Sequence, residues 1–413
     1  MIKRLSTEPY KGTRDFYPKD MAIQRYIFDT WSKTAELFGY ERYDASILEP
    51  SELYKSKGAE NEEMVNEQTY TFIDRGDREV TLRPEMTPTV ARMIAGKRRE
   101  LSLPARWYSI PNLFRYERPQ RGRLREHWQL NCDMFGVDDV ASDVEIIALA
   151  YRILSDFGAT PDTFGIKINH RAALNAHLAR FNITDEARIR AVTSVIDKKA
   201  KVSAEEFATM LNAAAGCNLT LPEEASAEVE AILDGLKALG ITNAMYDPSI
   251  VRGFNYYTGT VFEVFDTSSE NNRALLGGGR YDNLTGMFDT EAVTGIGFGM
   301  GDVTMRDFLE THNLLPDSVC VTAPILVVLP TGAVHNLPAE HIAQQFRDAG
   351  IRTSVDLSVK KIGKKIGSAS DAGARFIIVV GEDELASNTF VLKDLSTSTE
   401  HLGSPADLLA SIA

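Results

Sequence analysis

Within the strand-like run Glu126 to Phe135 (EHWQLNCDMF), the eight residues from His127 to Met134 alternate strictly between polar and apolar side chains. In a strand, successive side chains point to opposite faces. His127, Gln129, Asn131 and Asp133 therefore share one face, and Trp128, Leu130, Cys132 and Met134 share the other. The apolar face calls for a core, which leaves the polar face as the floor of a pocket. Residues 106–118 alternate in the same way, and the basic, turn-forming Arg118-Pro-Gln-Arg-Gly-Arg-Leu-Arg125 joins the two runs, so an antiparallel hairpin is expected. Its first strand, extended to Glu117, would put Arg115 and Glu117 on one face and Phe114 and Tyr116 on the other. Asp133 can meet a cation and Arg115 an anion, which suits a zwitterionic or polyphosphate ligand. An ordinary solvated sheet face fits the alternation alone. Arg118, Arg121, Arg123 and Arg125, read as a mobile cationic loop over the pocket, shift the balance toward phosphate or nucleic-acid backbone.

The rest of the chain divides by pattern. Apolar residues at helical spacing predict a helix from Ala22 to Phe38, ended by Gly39. Tyr70–Asp74 and Glu79–Leu82 flank a turn and form a second hairpin, followed by Thr87-Pro88 as N-cap and first helical residue. Ser142 and Glu145 are expected to form a capping box for a helix running to Gly158. Residues 170–245 are helical in pattern and carry no chemistry-bearing cluster, which reads as an insertion. Strand character returns at Tyr256–Phe265, before the glycine-rich runs Gly277–Gly279 and Gly295–Gly301, where close backbone approach is expected. After a boundary near Asp317–Ala323, strands alternate with helices in a small α/β domain. At 413 residues the chain is long enough for two or three cores. The expected domains are a core over 1–320, interrupted at about 170–245, and an α/β domain over 324–413.

Other clusters are open to two readings. Glu85 before Thr87 can bind an ammonium group, although helix capping by Thr87 is favoured. The tyrosines of Arg252-Gly-Phe-Asn-Tyr-Tyr257 suit a core as well as a ligand. The run Gly277-Gly-Gly-Arg280-Tyr281-Asp282 fits a phosphate cradle or a tight turn. Lys360, Lys361, Lys364 and Lys365 would form one cationic stripe on a helix, disfavoured by self-repulsion and therefore read as facing RNA phosphate. The net charge of -13 excludes a generally cationic coat protein for nucleic acid but leaves room for local basic patches. Three dispersed cysteines suggest neither a disulfide framework nor zinc, and no metal ligand is assigned among the side chains. Nothing resembles a secretory signal or an apolar run of about 20 residues, so a cytoplasmic protein without membrane contact is expected.

Three of these segments, Leu82-Arg-Pro-Glu-Met-Thr87, Phe114-Arg-Tyr-Glu-Arg-Pro-Gln-Arg-Gly-Arg123 and Arg252-Gly-Phe-Asn-Tyr-Tyr257, together with Lys11-Gly-Thr-Arg-Asp15, closely resemble the histidyl-tRNA synthetase family over nearly the whole chain. The resemblance implies a class II synthetase fold, an α+β core on an antiparallel sheet with a helical insertion and a C-terminal anticodon-binding α/β domain. It implies motif 1 over Tyr10–Pro50, motif 2 over residues 113–136, and a homodimer. It implies that L-histidine is activated by ATP with Mg²⁺ and passed to the 3′ end of tRNA(His). Histidine would meet Glu85, Thr87, Gln129, Asp133, Tyr256, Tyr257 and Tyr281. ATP would meet Arg115, Glu117, Arg123 and Arg252, with Arg252 and Arg115 catalytic, and tRNA would meet Arg118, Arg121 and the four lysines. Two positions depart from the family: Asn255 replaces an aspartate, and Thr304 replaces the motif 3 arginine that meets the γ-phosphate, so Arg123 or another arginine with Mg²⁺ would have to compensate. An inactive regulatory or RNA-binding relative is the alternative.

Overall fold

The computed structural model describes residues 5–55, 68–199, 202–252, 256–271, 273–288, 290–316 and 324–412. The chain forms two compact units, Met1–Asp317 and Ser318–Ala413. The first runs α1 (Pro18–Leu37), β1 (Glu41–Arg42), β2 (Leu48–Pro50), α2 (Glu52–Lys55), β3 (Tyr70–Ile73), β4 (Glu79–Leu82), α3 (Thr87–Lys97), β5 (Ala105–Ser109), β6 (Asn112–Phe114), β7 (Glu126–Phe135) and α4 (Val140–Asp156). It continues with β8 (Phe164–His170), α5 (Arg171–Ala179), α6 (Glu186–Ile196), α7 (Ala204–Ala215), α8 (Ala227–Ala238), β9 (Ala244–Tyr246), β10 (Thr260–Asp266), β11 (Ala274–Arg280), β12 (Gly295–Gly301) and α9 (Asp302–Thr311).

Eight strands lie in the order β1-β5-β7-β12-β11-β10-β8-β9, with β6 paired to the start of β7. Among the described residues of this sheet only the outer pairs β1·β5 and β8·β9 are parallel. The alternation in β7 sets the layering. Leu130, Cys132 and Met134 are buried in the main core with Ile27, Trp31 and Ala35 of α1, Ile146, Leu149 and Ile153 of α4, and Met305, Phe308 and Leu309 of α9. Each buried Leu, Ile, Met or Phe among them contributes roughly 1.5–3 kcal/mol by leaving water. The opposite face of β7 is free to line a site. The three strands β2-β4-β3 form a separate small sheet.

Several local expectations need correction. Helix α1 begins at Pro18, earlier than its apolar spacing suggests, because proline suits the first turn. The first strand of the motif 2 hairpin stops at Phe114. Beyond it Tyr116 N–H turns to Gln68 O at 2.7 Å, and Gln120 and Arg123 close a turn on each other. Ser142 and Glu145 form no capping box. Asp139 caps α4, accepting from Ala141 N–H at 2.7 Å, Ser142 donates to Asp139 O from within the first turn, and Glu145 pairs with Arg106 at 2.7 Å. Within residues 170–245, α5, α6 and α7 share a small core of their own around Leu174, Val192 and Leu211. Helix α8 instead joins the main core through Val229, Ile232 and Leu236.

In the second unit, β13 (Leu326–Pro330), α10 (Asn336–Asp348), β14 (Thr353–Val355), α11 (Ile362–Asp371), β15 (Phe376–Val380), α12 (Glu382–Ser387), β16 (Phe390–Asp394), β17 (Glu400–Gly403) and α13 (Pro405–Ile412) build a five-stranded sheet. Its order is β14-β13-β15-β16-β17, parallel around β13 and antiparallel from β15 onward. Leu326, Ala343, Phe346, Ile378 and Leu408 close its core. The chain is thus a mixed α/β protein with an antiparallel-dominated sheet followed by an α/β unit. The expected boundary at Asp317–Ala323 lies outside the described residues.

Candidate active site

The polar face of β7 opens into a cavity of about 1070 Å³, ample for an amino acid and a nucleotide together. Gln129, Asn131 and Asp133 line it, and glycines of the neighbouring strands keep it open. A Cβ on Gly297 would overlap Asp133 Oδ1, one on Gly299 would overlap Gln129 Nε2, and one on Gly277 would overlap Arg252 Nη1. Close backbone approach is therefore real. The phosphate cradle and the tight turn are not, because Gly277–Gly279 lies in β11, paired on both sides with β10 and β12.

Two carboxyl groups stand out. Glu85 is 3% exposed, and its Oε2 accepts from Tyr256 O–H at 3.1 Å. Burial pushes its pKa up to about 7 although Arg115, Tyr256 and Arg252 favour the charged form. Asp133, also 3% exposed, accepts from Tyr281 O–H and is likewise pushed by burial to about 7. The Tyr281 hydroxyl is held well above its usual pKa by burial and by Asp133. Among the described residues Glu85 Oε1 and Asp133 Oδ2 have no hydrogen-bond partner. Buried acceptors left open in this way are costly unless a ligand meets them. Thr87 does not cap α3. The helix starts at Thr87 with Met86 at the N-cap and no side-chain cap bond, so the favoured capping explanation fails and Thr87 lines the cavity.

Cations line the same cavity. Arg115 is tethered by Nε to Pro84 O at 2.8 Å. Arg252, at φ +55°, donates from Nη1 to Glu263 Oε1 at 2.8 Å and lies 5.8 Å from the Tyr257 ring centroid. Burial works against its charge, but Tyr257 and Glu263 outweigh burial and raise its pKa, so it stays a cation. Its Nε has no hydrogen-bond partner among the described residues. His127, beside Arg115 and Arg14, is driven down to about 3, chiefly by burial, and is neutral. Glu117 pairs with Arg123 at 3.1 Å, and both line the cavity.

The cavity therefore brings together Glu85, Thr87, Arg115, Glu117, Arg123, Gln129, Asp133, Arg252, Tyr256, Tyr257 and Tyr281. Residues 253–255 of the Arg252–Tyr257 segment, Asn255 included, lie outside the described residues. Arg118 and Arg121 are exposed and do not line the cavity, and Arg121 faces Glu270 at 3.8 Å and Asp307 at 4.0 Å. Arg125 is no part of a cationic loop. It is buried, stacks 3.9 Å from the Tyr116 ring centroid and donates to Tyr10 O–H at 3.0 Å. The lysine stripe breaks up as well. Lys360 and Lys361 precede α11, Lys364 is exposed, and Lys365 is 3% exposed with its ammonium spent on Pro330 O at 2.9 Å and Asp356 O at 2.8 Å. Sequence reasoning missed Arg273 and Glu263, which also line the cavity. The only signal for Arg273 was a cation just before the glycine run.

Among the described residues no helix is long and apolar enough to cross a membrane, and no three His, Cys, Asp or Glu side chains are grouped to hold a metal ion. A family model described as histidyl-tRNA synthetase matches residues 12–221 and 202–302, and an anticodon binding domain model matches residues 326–413. The chain is 43% identical to a histidine–tRNA ligase of Leptospira biflexa, with 99% of this chain and 98% of the relative covered. It is 36% identical to that of Thermoplasma volcanium, with 98% of each covered. The structure of apo S. aureus histidyl-tRNA synthetase is similar, with a TM-score of 0.76 and 25% identity over 98% of this chain and 99% of that one. With both domain models matched and relatives aligned from end to end, the chain belongs to the histidyl-tRNA synthetase family.

Proposed function

We propose that this protein is a histidine–tRNA ligase, which forms histidyl-adenylate from L-histidine and ATP and transfers the histidyl group to the 3′ end of tRNA(His). One observation carries this reading: two buried, half-satisfied carboxyl groups and two fixed arginines line a single cavity. Glu85 lies beside Arg115 and Arg252, so the ammonium end of histidine belongs at Glu85, Thr87 and Gln129, close to where its carboxylate must react. The imidazole then reaches Asp133 and Tyr281, with Tyr256 and Tyr257 walling the slot. Arg115 and Arg252 stabilise the α-phosphate as the histidine carboxylate attacks it in line and pyrophosphate leaves. In the second step a ribose hydroxyl of the tRNA attacks the acyl carbon and AMP leaves, with placement of both substrates supplying much of the rate.

ATP enters as its Mg²⁺ complex, whose metal needs only one or two protein carboxylates beside the phosphates. Glu117 and Glu263, each paired with an arginine in the cavity, are suited to complete its shell. The second unit, with exposed Lys360, Lys361 and Lys364, would contact the anticodon arm, while Arg118 and Arg121 would contact the acceptor end. Lys365 is excluded from that role by its burial. A homodimer is supported by the small β2-β4-β3 sheet, which leaves Ile47, Leu48, Phe72 and Ile73 between 41% and 61% exposed. Such an enzyme would work in the cytoplasm.

Histidine-dependent exchange between ATP and pyrophosphate, with the other amino acids as controls, tests the reading. Exchange with histidine alone is expected. Absence of exchange despite tRNA or histidine binding would favour a regulatory or RNA-binding relative, the reading that Thr304 keeps in contention.

A further inference from the structure

Thr304 offers ATP very little. Its single hydroxyl proton is shared between Leu275 O and Gly301 O, each at 3.2 Å, and it carries no charge. A triphosphate lying in this cavity therefore needs a cation from elsewhere. The notch at Gly122, φ +74°, shows which one is at hand. A Cβ added there would lie 3.0 Å from Arg273 Cδ and 3.4 Å from Thr304 Cγ2. The stem of Arg273 and the methyl group of Thr304 thus flank the same glycine, although 31 residues separate them in the chain.

We propose that Arg273, which immediately precedes β11, binds the β- and γ-phosphates of ATP in place of the cation absent at Thr304. The proposal rests on the ligase reading and deepens it. Arg273 is half-buried on the cavity wall, and among the described residues its guanidinium has no hydrogen-bond or ion-pair partner. The other cation on this side, Arg123, is tied to Glu117. Burial lowers the Arg273 pKa, and the nearby charge of Arg123 lowers it further against the opposing pull of Glu117. Two guanidinium groups converging beside one notch repel each other until an anion of several charges lies between them. The triphosphate of ATP is such an anion, and the planar fork of arginine suits it.

The test compares wild type, Arg273→Ala and the double variant Arg273→Ala/Thr304→Arg in histidine-dependent ATP–pyrophosphate exchange. Binding of a sulfamoyl analogue of the adenylate, which lacks the β- and γ-phosphates, is measured beside it. Arg273→Ala should lower kcat/KM for ATP by about 10²-fold, as loss of one charge-stabilising donor does, while affinity for the analogue stays within about twofold. The double variant should recover most of the loss, because an arginine from position 304 reaches the same place. An Arg273→Ala protein that exchanges as fast as wild type would overturn this inference and leave the ligase reading standing. Equal loss of ATP and analogue binding would also overturn it, by showing a merely structural role. A wild type without exchange would overturn both.

Discussion

Glu85 is a carboxyl group kept poor in partners. With its pKa raised by burial to about 7, the folded state holds a proton that the unfolded chain, near the usual 4.5, has already lost. Its contribution to stability is therefore fully present below about pH 4.5 and falls away as pH rises to about 7. Binding of the histidine ammonium group selects the carboxylate. At pH 7, histidine binding should expel about half a proton from this site, measurable by calorimetry in two buffers of different ionisation enthalpy. Glu85→Gln should abolish that release and lower kcat/KM for histidine by about 10²-fold, since removing one partner of a buried charge pair costs roughly 2–5 kcal/mol. The same variant should unfold at no lower temperature than wild type at pH 8, where the buried charge is most costly. Equal proton release in wild type and variant would place the titrating group elsewhere, at Asp133.

At the scale of elements, the glycines of β11 and β12 are not interchangeable. A Cβ on Gly278 meets backbone, Gly297 O and Phe298 Cα at 2.8 Å, so Gly278→Ala should cost about 1–3 kcal/mol in urea unfolding. The atoms nearest a Cβ on Gly299 all belong to the Gln129 side chain, so Gly299→Ala should fold and instead lose about tenfold or more in affinity for histidine. These strands also show what was legible in the sequence. The alternation of β7 carried its layer and its site because each face has a different solvent. The glycine runs carried no alternation, and a strand without side chains reads like a turn. Strand β6 ended sooner than its pattern because Tyr116 found its hydrogen bond outside the hairpin, at Gln68. Helix α8 is as amphipathic as the insertion helices before it, and only tertiary packing assigns it to the main core. Lys365 looked like its neighbours, yet two carbonyl oxygens draw it inward. Arg273 meets Thr304 only through the fold.

For the whole molecule, the two units close separate cores, one around Trp31 and Phe308 and the other around Phe346 and Phe390. A fragment of residues 1–317 is expected to keep histidine-dependent exchange while losing nearly all charging of tRNA, with soluble expression and both assays as the check. Loss of exchange in a folded fragment would make the second unit part of the first reaction. The first unit completes itself late. Strand β7 pairs with β12, about 160 residues further along the chain. At ribosomal rates that is roughly 10–30 s. During that interval a nascent chain carries β7 with one hydrogen-bonding edge unmet, the kind of edge that recruits foreign strands. An enzyme that supplies translation with one of its amino acids is thus most exposed to aggregation while being translated, and slow decoding between Phe135 and Gly295 would lengthen that exposure.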